Sequence, residues 1–257
     1  MPDDQPPRAG KITVMARFVL VAGACHGAWC WERVVPLLEA RGHRVETAEL
    51  PGMGADRTPL AGLDMMAWAR AIAQVIDADP EPVILVGHSR GGAVISQTAE
   101  LVPDRIRLNV YLTALLLEDG ETGFDVLKLV PEGSFTPPAM IPSEDGTAIS
   151  FEPAEAGPFL YQRTEPAWVE RALAHLTPEP MFGLTQPQSL SAERYGRVPR
   201  AYIECLDDLT LPLVAQRALI ARQPCDHVRS IDSDHSPFYS APEELAEVLD
   251  DLAKAAG

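Results

Sequence analysis

Positive charge is scarce in this chain: 21 Lys and Arg stand against 37 Asp and Glu, a formal net charge of −16. A surface of that sign repels phosphate and argues against a nucleic-acid partner. It also gives anionic substrates no steering, which favours a neutral one. Cysteine is sparse as well. Cys25, Cys30, Cys205 and Cys225 lack metal-ligand spacing, and the nearest pair lies five positions apart. They are expected to be reduced, mostly buried thiols of a cytoplasmic protein, with no metal and no cofactor. No apolar run reaches the ~20 residues of a membrane span, so no membrane partner is expected. The opening "MPDDQPPRAGKITVMAR" lacks the basic start and apolar centre of a signal peptide. Residues 1–16 are expected to form a flexible leader, with Met15 an alternative start.

What is present is a chain of 257 residues, 46% hydrophobic, which suits one large domain over 17–257. Its first part alternates strand and helix. "RFVLVAG" reads as a strand buried on both faces, "WERVVPLLEARG" as a helix stopped by Gly42, and "HRVETAEL" as a second strand. "LDMMAWARAIAQVIDA" carries Met66, Ala69, Ile72, Ala73 and Ile76 on one helical face. "EPVILVG" is the most apolar strand, followed by the helix "GGAVISQTAELVP" and the strand "IRLNVYLTALL". Such alternation implies a mostly parallel sheet with helices on both faces. From about 118 to 198 the rhythm changes to proline-rich sequence with short helical pieces, of which "EPAWVERALAHL" is the clearest. A segment of that kind within a compact fold suggests an inserted cap, or lid. Strand and helix return with "PRAYIECL", "LPLVAQRALIAR", "HVRSID" and "APEELAEVLDDLAKA".

Within "VILVGHSRGG", Gly87, Ser89 and Gly91 fit G-x-S-x-G. A serine on a sharp strand-to-helix turn has strained dihedrals, and its neighbours two positions away must be small. The motif follows a strand and precedes a helix, the context a nucleophile requires. A serine hydroxyl needs a base, and the chain order for such an elbow is Ser, acid, His. His235 in "SDHSPF" follows the last strand and precedes the last helix, so its loop lies on the same side as Ser89. The acid is sought after "RAYIEC". Asp207 and Asp208 both qualify, and Asp208 is preferred because the helix start at Pro212 lies four residues beyond it. Asp232 and Asp234 are too near His235 in sequence to reach its far ring nitrogen and are read as loop caps. The oxyanion donors are assigned to the backbone N–H groups of Arg90 and of Ala24 in "AGACHG".

At this point "FVLVAGACHGAWCWERVVPLLEARGH", "VILVGHSRGG", "YIECLDDLTLP" and "DHSPFYSAPEELAEVL" resemble the α/β-hydrolase superfamily. More narrowly, they are similar to the branch holding plant salicylate-type methylesterases, hydroxynitrile lyases and bacterial pyrethroid-hydrolase-like carboxylesterases. The likeness runs from about Arg17 to Ala253 and includes parts of the cap. It implies an α/β-hydrolase fold with Ser89, Asp208 and His235 as nucleophile, acid and base, and with Ala24 and Arg90 as oxyanion donors. Two departures stand out. The family commonly has His-Gly before the oxyanion loop, where this chain has Ala22-Gly23 and so lacks a side chain that orders the loop. The family often has Leu, Met or Gln after the serine, where this chain has Arg90, which could pair with an acidic group or project toward the cap. The lyases carry Thr at the place of Gly23 and Lys at that of Ser236, so lyase chemistry lacks its stabilising groups here.

The expectation is a serine carboxylesterase acting on a neutral hydrophobic ester through an acyl-enzyme. The rivals are a lactone or polyketide-intermediate hydrolase or cyclase with the same residues, and a non-catalytic ligand-binding protein on the same scaffold. Phe124, Phe135, Met140, Phe159, Phe182 and Leu184 are pocket candidates or plain cap core. Gly23 and His88 are candidate substrate contacts. A homodimer is a compatible assembly.

Overall fold

The computed structural model describes residues 15–133, 136 and 138–257. The expected leader therefore lies largely outside the described residues. Ala16, assigned to it, is buried and belongs to the fold, donating its N–H to His43 Nδ1.

The elements of the first half are β1 (Arg17–Val21), α1 (Val35–Glu39), β2 (Arg44–Ala48), α2 (Met65–Asp77), β3 (Val83–His88), α3 (Gly91–Leu101) and β4 (Ile106–Leu112). The segment that follows carries β5 (Met140–Pro142), β6 (Ala148–Phe151), α4 (Pro153–Leu160), α5 (Pro166–Leu173), β7 (Glu179–Pro180) and α6 (Phe182–Thr185). The chain then returns through β8 (Arg200–Cys205), α7 (Leu213–Arg222), β9 (His227–Ile231), α8 (Pro237–Ser240) and α9 (Pro242–Ala256).

Six strands form one parallel sheet in the order β2-β1-β3-β4-β8-β9. The continuous apolar runs of β1 and β3 follow from burial on both faces. Phe18, Leu20, Ile84 and Val86 face a core closed by Leu38 of α1 and Leu245, Leu249 and Leu252 of α9. Val19, Val21, Val83 and Leu85 face the opposite core, closed by α2 and α3. This is the α/β-hydrolase architecture.

Three local expectations shift. The inward stripe of α2 begins with Met65 and Trp68, both buried, and Met66 is only half-buried. Trp68 is fully buried and brings the largest apolar side chain of that stripe into the core. The first helix is shorter than "WERVVPLLEARG", because Pro36 is tolerated only in a first turn. A 3₁₀ turn at Ala28–Trp31 precedes it. The proline-rich segment holds a small antiparallel sheet, β5-β6-β7, besides its helices. Strands of two to four residues leave no readable alternation.

Candidate active site

The chain leaves β1 toward β2 on one side and returns to β3 on the other, so the strand order reverses between β1 and β3. A crevice opens at the carboxyl ends of the strands at such a point. The residues singled out above collect there: Ala24 after β1, Ser89 after β3, Asp208 after β8 and His235 after β9.

Ser89 sits in the left-handed region, with φ +52°. For a residue with a side chain this costs about 1–3 kcal/mol and must be imposed by its surroundings. Here Ser89 N–H donates to Leu112 O at 3.2 Å, and Ser89 O accepts from Leu115 N–H at 2.9 Å. The glycine spacing has a steric reason as well. A Cβ on Gly87 would lie 2.6 Å from Gly91 O, and one on Gly91 would lie 2.9 Å from Ala22 O.

His235 Nδ1–H donates to Asp208 Oδ2 at 2.7 Å, and both residues are buried. That bond fixes the tautomer and leaves Nε2 as the acceptor. Asp208 is held in turn. Its Oδ1 accepts the N–H groups of Thr210 and Leu211 at 2.7 and 2.8 Å, and its Oδ2 accepts Thr113 Oγ1–H at 2.5 Å. Asp207 points elsewhere, with an exposed carboxylate near Arg163. Asp234 caps its loop through Ser236 N–H and Ser240 Oγ–H and ties it to Arg163 N–H. Asp232 forms an exposed pair with Arg163. The sequence did not suggest Thr113, which lies just past the end of β4 as a threonine among apolar residues.

The loop after β1 is bonded at nearly every peptide. Cys25 is another left-handed residue, with φ +62°. Its carbonyl accepts Thr177 N–H at 2.9 Å, and its N–H donates to Glu179 Oε2 at 2.9 Å. Ala24 O accepts His26 Nδ1–H at 2.6 Å, so His26 Nε2 is the acceptor for the Tyr161 hydroxyl at 2.5 Å. Burial lowers the pKa of His26 to about 4. Burial also holds His88 well below the usual histidine range, and it pushes the Cys25 thiol up. Gly23 O accepts from Arg90 Nη2 at 2.9 Å. Arg90 is itself buried and paired with the buried Glu179, Nε to Oε1 at 2.8 Å. The Arg90 side chain thus does both things its position allowed, since its acidic partner lies on β7. Glu179 gave no signal in "TPEP", because only the tertiary fold brings it to residue 90.

Ala24, Ser89 and Arg90 line a cavity of about 200 Å³. Phe124, Met140, Phe159 and Leu184 line it too, along with Phe151, Leu115 and Leu211. Phe135 lies outside the described residues. Three expected contacts line other surfaces. Phe182 packs on Trp68, with ring centroids 4.5 Å apart. His88 turns beneath the base, its Nε2–H donating to His235 O at 2.8 Å. Gly23 is covered by that ring: a Cβ there would lie 2.6 Å from His88 Nδ1, so the lyase-type Thr has no room. Among the described residues no group of three or more His, Cys, Asp or Glu is placed to hold a metal ion. No helix among them is long and apolar enough to cross a membrane.

A model of the alpha/beta hydrolase family matches residues 18–248, and the chain belongs to that family. Methylesterase 2 of Arabidopsis thaliana is 33% identical over 247 residues, covering 90% of this chain and 94% of that protein. The putative methylesterase 13, chloroplastic, of the same plant is 29% identical over 93% of this chain, which spans 56% of its length. A solved pyrethroid hydrolase from Sphingobium faniae superposes with a TM-score of 0.81 at 30% identity, covering 94% of this chain and 98% of its own. These similarities group the chain with the carboxylic ester hydrolases.

Proposed function

We propose that the protein is a serine carboxylesterase that hydrolyses a neutral, hydrophobic ester through an acyl-enzyme. One observation carries this: Ser89 opens onto an apolar cavity at the same sheet end where Asp208 fixes the His235 tautomer. His235 Nε2 takes the Ser89 hydroxyl proton as Oγ attacks the ester carbonyl. The tetrahedral oxyanion is received by the N–H groups of Ala24 and Arg90. Arg90 is the N-cap residue of α3, so its N–H has no acceptor within the helix. The tetrahedral adduct collapses, and the alcohol leaves with the proton from His235. Water, deprotonated by the same imidazole, then releases the acid and regenerates Ser89.

Strain at Ser89 supports the assignment, because residues held in sparsely populated backbone conformations cluster at active sites. The cavity lining supports the choice of substrate class: its polar side chains are few, and two of them, Arg90 and Glu179, are already paired with each other. The test is turnover of p-nitrophenyl butyrate together with labelling by a fluorophosphonate. Turnover and labelling that both vanish in Ser89→Ala, with an unchanged circular dichroism spectrum, are expected. A wild-type protein that neither turns over the ester nor takes the label overturns the assignment.

A further inference from the structure

The Arg90–Glu179 pair is hard to account for as a source of stability. Arg90 and Glu179 are 1% and 0% exposed, so both charges are removed from water. The match is incomplete, because Arg90 Nη1 finds no partner. Replacing such a pair by apolar groups is often neutral or stabilising. What the pair does hold is the loop after β1. Arg90 Nη2–H donates to Gly23 O at 2.9 Å, and Glu179 Oε2 accepts Cys25 N–H at 2.9 Å. These bonds grip the peptides on either side of Ala24.

The first bond has a direct geometric consequence. Gly23 O and Ala24 N–H belong to one peptide, none of the described peptides is cis, and in a trans unit the two groups point in opposite directions. Gly23 O also accepts His26 N–H at 3.3 Å, and the shorter, charged bond from the guanidinium fixes the oxygen against Arg90 and so turns the Ala24 N–H away from it. Ala24 and Ser89 line the same cavity. Among the described residues, neither Ala24 N–H nor Arg90 N–H has an acceptor. A cation on the carbonyl also polarises the peptide and makes its N–H a better donor toward developing negative charge. The guanidinium is held as well, stacked 4.4 Å from the Trp68 ring, whose Nε1–H donates to Pro51 O.

We propose that Arg90 and Glu179 are positioning residues that set the oxyanion donors: the Arg90 backbone supplies one donor, and its side chain, aligned by Glu179, orients the other. This rests on the esterase assignment above. It also explains how the chain does without the His of the family's His-Gly. The ordering side chain comes from the residue after the nucleophile, and its counter-ion comes from the segment between β4 and β8. Placement of that segment is thereby coupled to the shape of the hole.

The decisive variant is Arg90→Leu/Glu179→Gln, which removes both charges together and leaves none uncompensated. Losing one oxyanion donor outright costs about 10²–10³ in kcat. A donor left in place but unaligned is expected to cost about 10–100-fold, with KM within about twofold. A trifluoromethyl ketone, whose adduct with Ser89 carries an oxyanion, should lose affinity by the factor by which kcat/KM falls. The loss of kcat should persist at temperatures well below the melting transition of the variant, where a purely structural role leaves kcat unchanged. If the double variant does not fold, Glu179→Gln alone should lower kcat about 3–10-fold at constant KM. Arg90→Lys, which keeps charge but loses the fork, should lie between wild type and the double variant. A folded double variant with kcat within about twofold of an active wild type, or a loss confined to KM, overturns this proposal alone. A wild type with neither turnover nor fluorophosphonate labelling overturns the esterase assignment and this proposal with it.

Discussion

Thr113 Oγ1 lies 2.5 Å from Asp208 Oδ2, the oxygen that also receives His235 Nδ1–H. Thr113 is held in an unfavourable conformation to reach it, with φ +36° for a β-branched residue. Its N–H donates to Ile203 O, which ties the end of β4 to β8. A hydrogen bond to a charged group contributes about 1.5–3 kcal/mol. Thr113→Val keeps the shape and removes the donor, so Oδ2 of Asp208 keeps only His235 while Oδ1 stays on the Thr210 and Leu211 N–H groups. A fall in kcat of about tenfold is expected with KM unchanged, read from steady-state kinetics on p-nitrophenyl butyrate. Thr113→Ser, which keeps the hydroxyl, should stay within about threefold of wild type.

The two neighbouring aspartates separate cleanly. Asp208 Oδ2 holds the imidazole, whereas the Asp207 carboxylate is exposed near Arg163. Asp208→Asn presents an amide whose donors favour the wrong imidazole tautomer. A loss of about 10⁴-fold in kcat is the scale known for this change in a serine hydrolase relay. Asp207→Asn should stay within about threefold. Comparable losses in both variants would dissolve the assignment of Asp208 as the acid.

This contrast marks what the sequence could disclose. Gly87, Ser89 and Gly91 were legible because the constraint is local: the chain itself brings Gly91 O against position 87. Asp208 and His235 were legible through element order, because each follows a strand that the alternation of strand and helix exposes. Thr113 and Glu179 were not. Their importance lies in contacts made 95 and 89 positions away in sequence, and nothing in the residues around them reports those contacts. Arg90 lies between the two cases. Its oddity was visible in the motif, but its partner was not. The strands β5 to β7 were missed for a different reason, since proline and short length erase the period on which strands are recognised.

Acid stability follows from the buried histidines. His26 donates through Nδ1 and accepts through Nε2, so it is neutral in the folded protein, and burial lowers its pKa from 6.5 to about 4. The unfolded chain takes up this proton near pH 6.5, and the folded chain does not until about pH 4. Between those values the unfolded state binds more protons, so stability rises with pH. The contribution is complete above pH 6.5 and is lost as pH falls through 4, amounting to about 3 kcal/mol for His26. His88, lowered by burial too, adds in the same direction. Carboxylates held down by hydrogen bonds, such as Asp56 and Asp79, act in the same sense but at lower pH. Urea midpoints measured from pH 7.5 to 4.5 at fixed ionic strength should fall steadily. His26→Gln should flatten the slope in that window, and an unchanged slope would contradict the neutral, buried state of this ring.

Substrate preference follows from the lining of the cavity. Phe151, Phe159, Leu184 and Leu211 face a space of about 200 Å³, with the half-exposed Phe124 and Leu127 also in its wall. Each methylene taken from water into such a space contributes about 0.8 kcal/mol, or about fourfold in kcat/KM. From p-nitrophenyl acetate through butyrate to hexanoate, kcat/KM should climb at roughly that rate until the cavity is full. A free carboxylate on the acyl chain should reverse the gain. It would be buried among apolar groups, and Arg90, the one cation in the lining among the described residues, is already paired with Glu179. A p-nitrophenyl hemisuccinate is therefore expected to be slower than the butyrate by at least about tenfold. Leu184→Trp, which fills part of the space, should move the optimum back toward the acetate. If that variant left the chain-length profile unchanged, the acyl chain would have to lie outside this cavity.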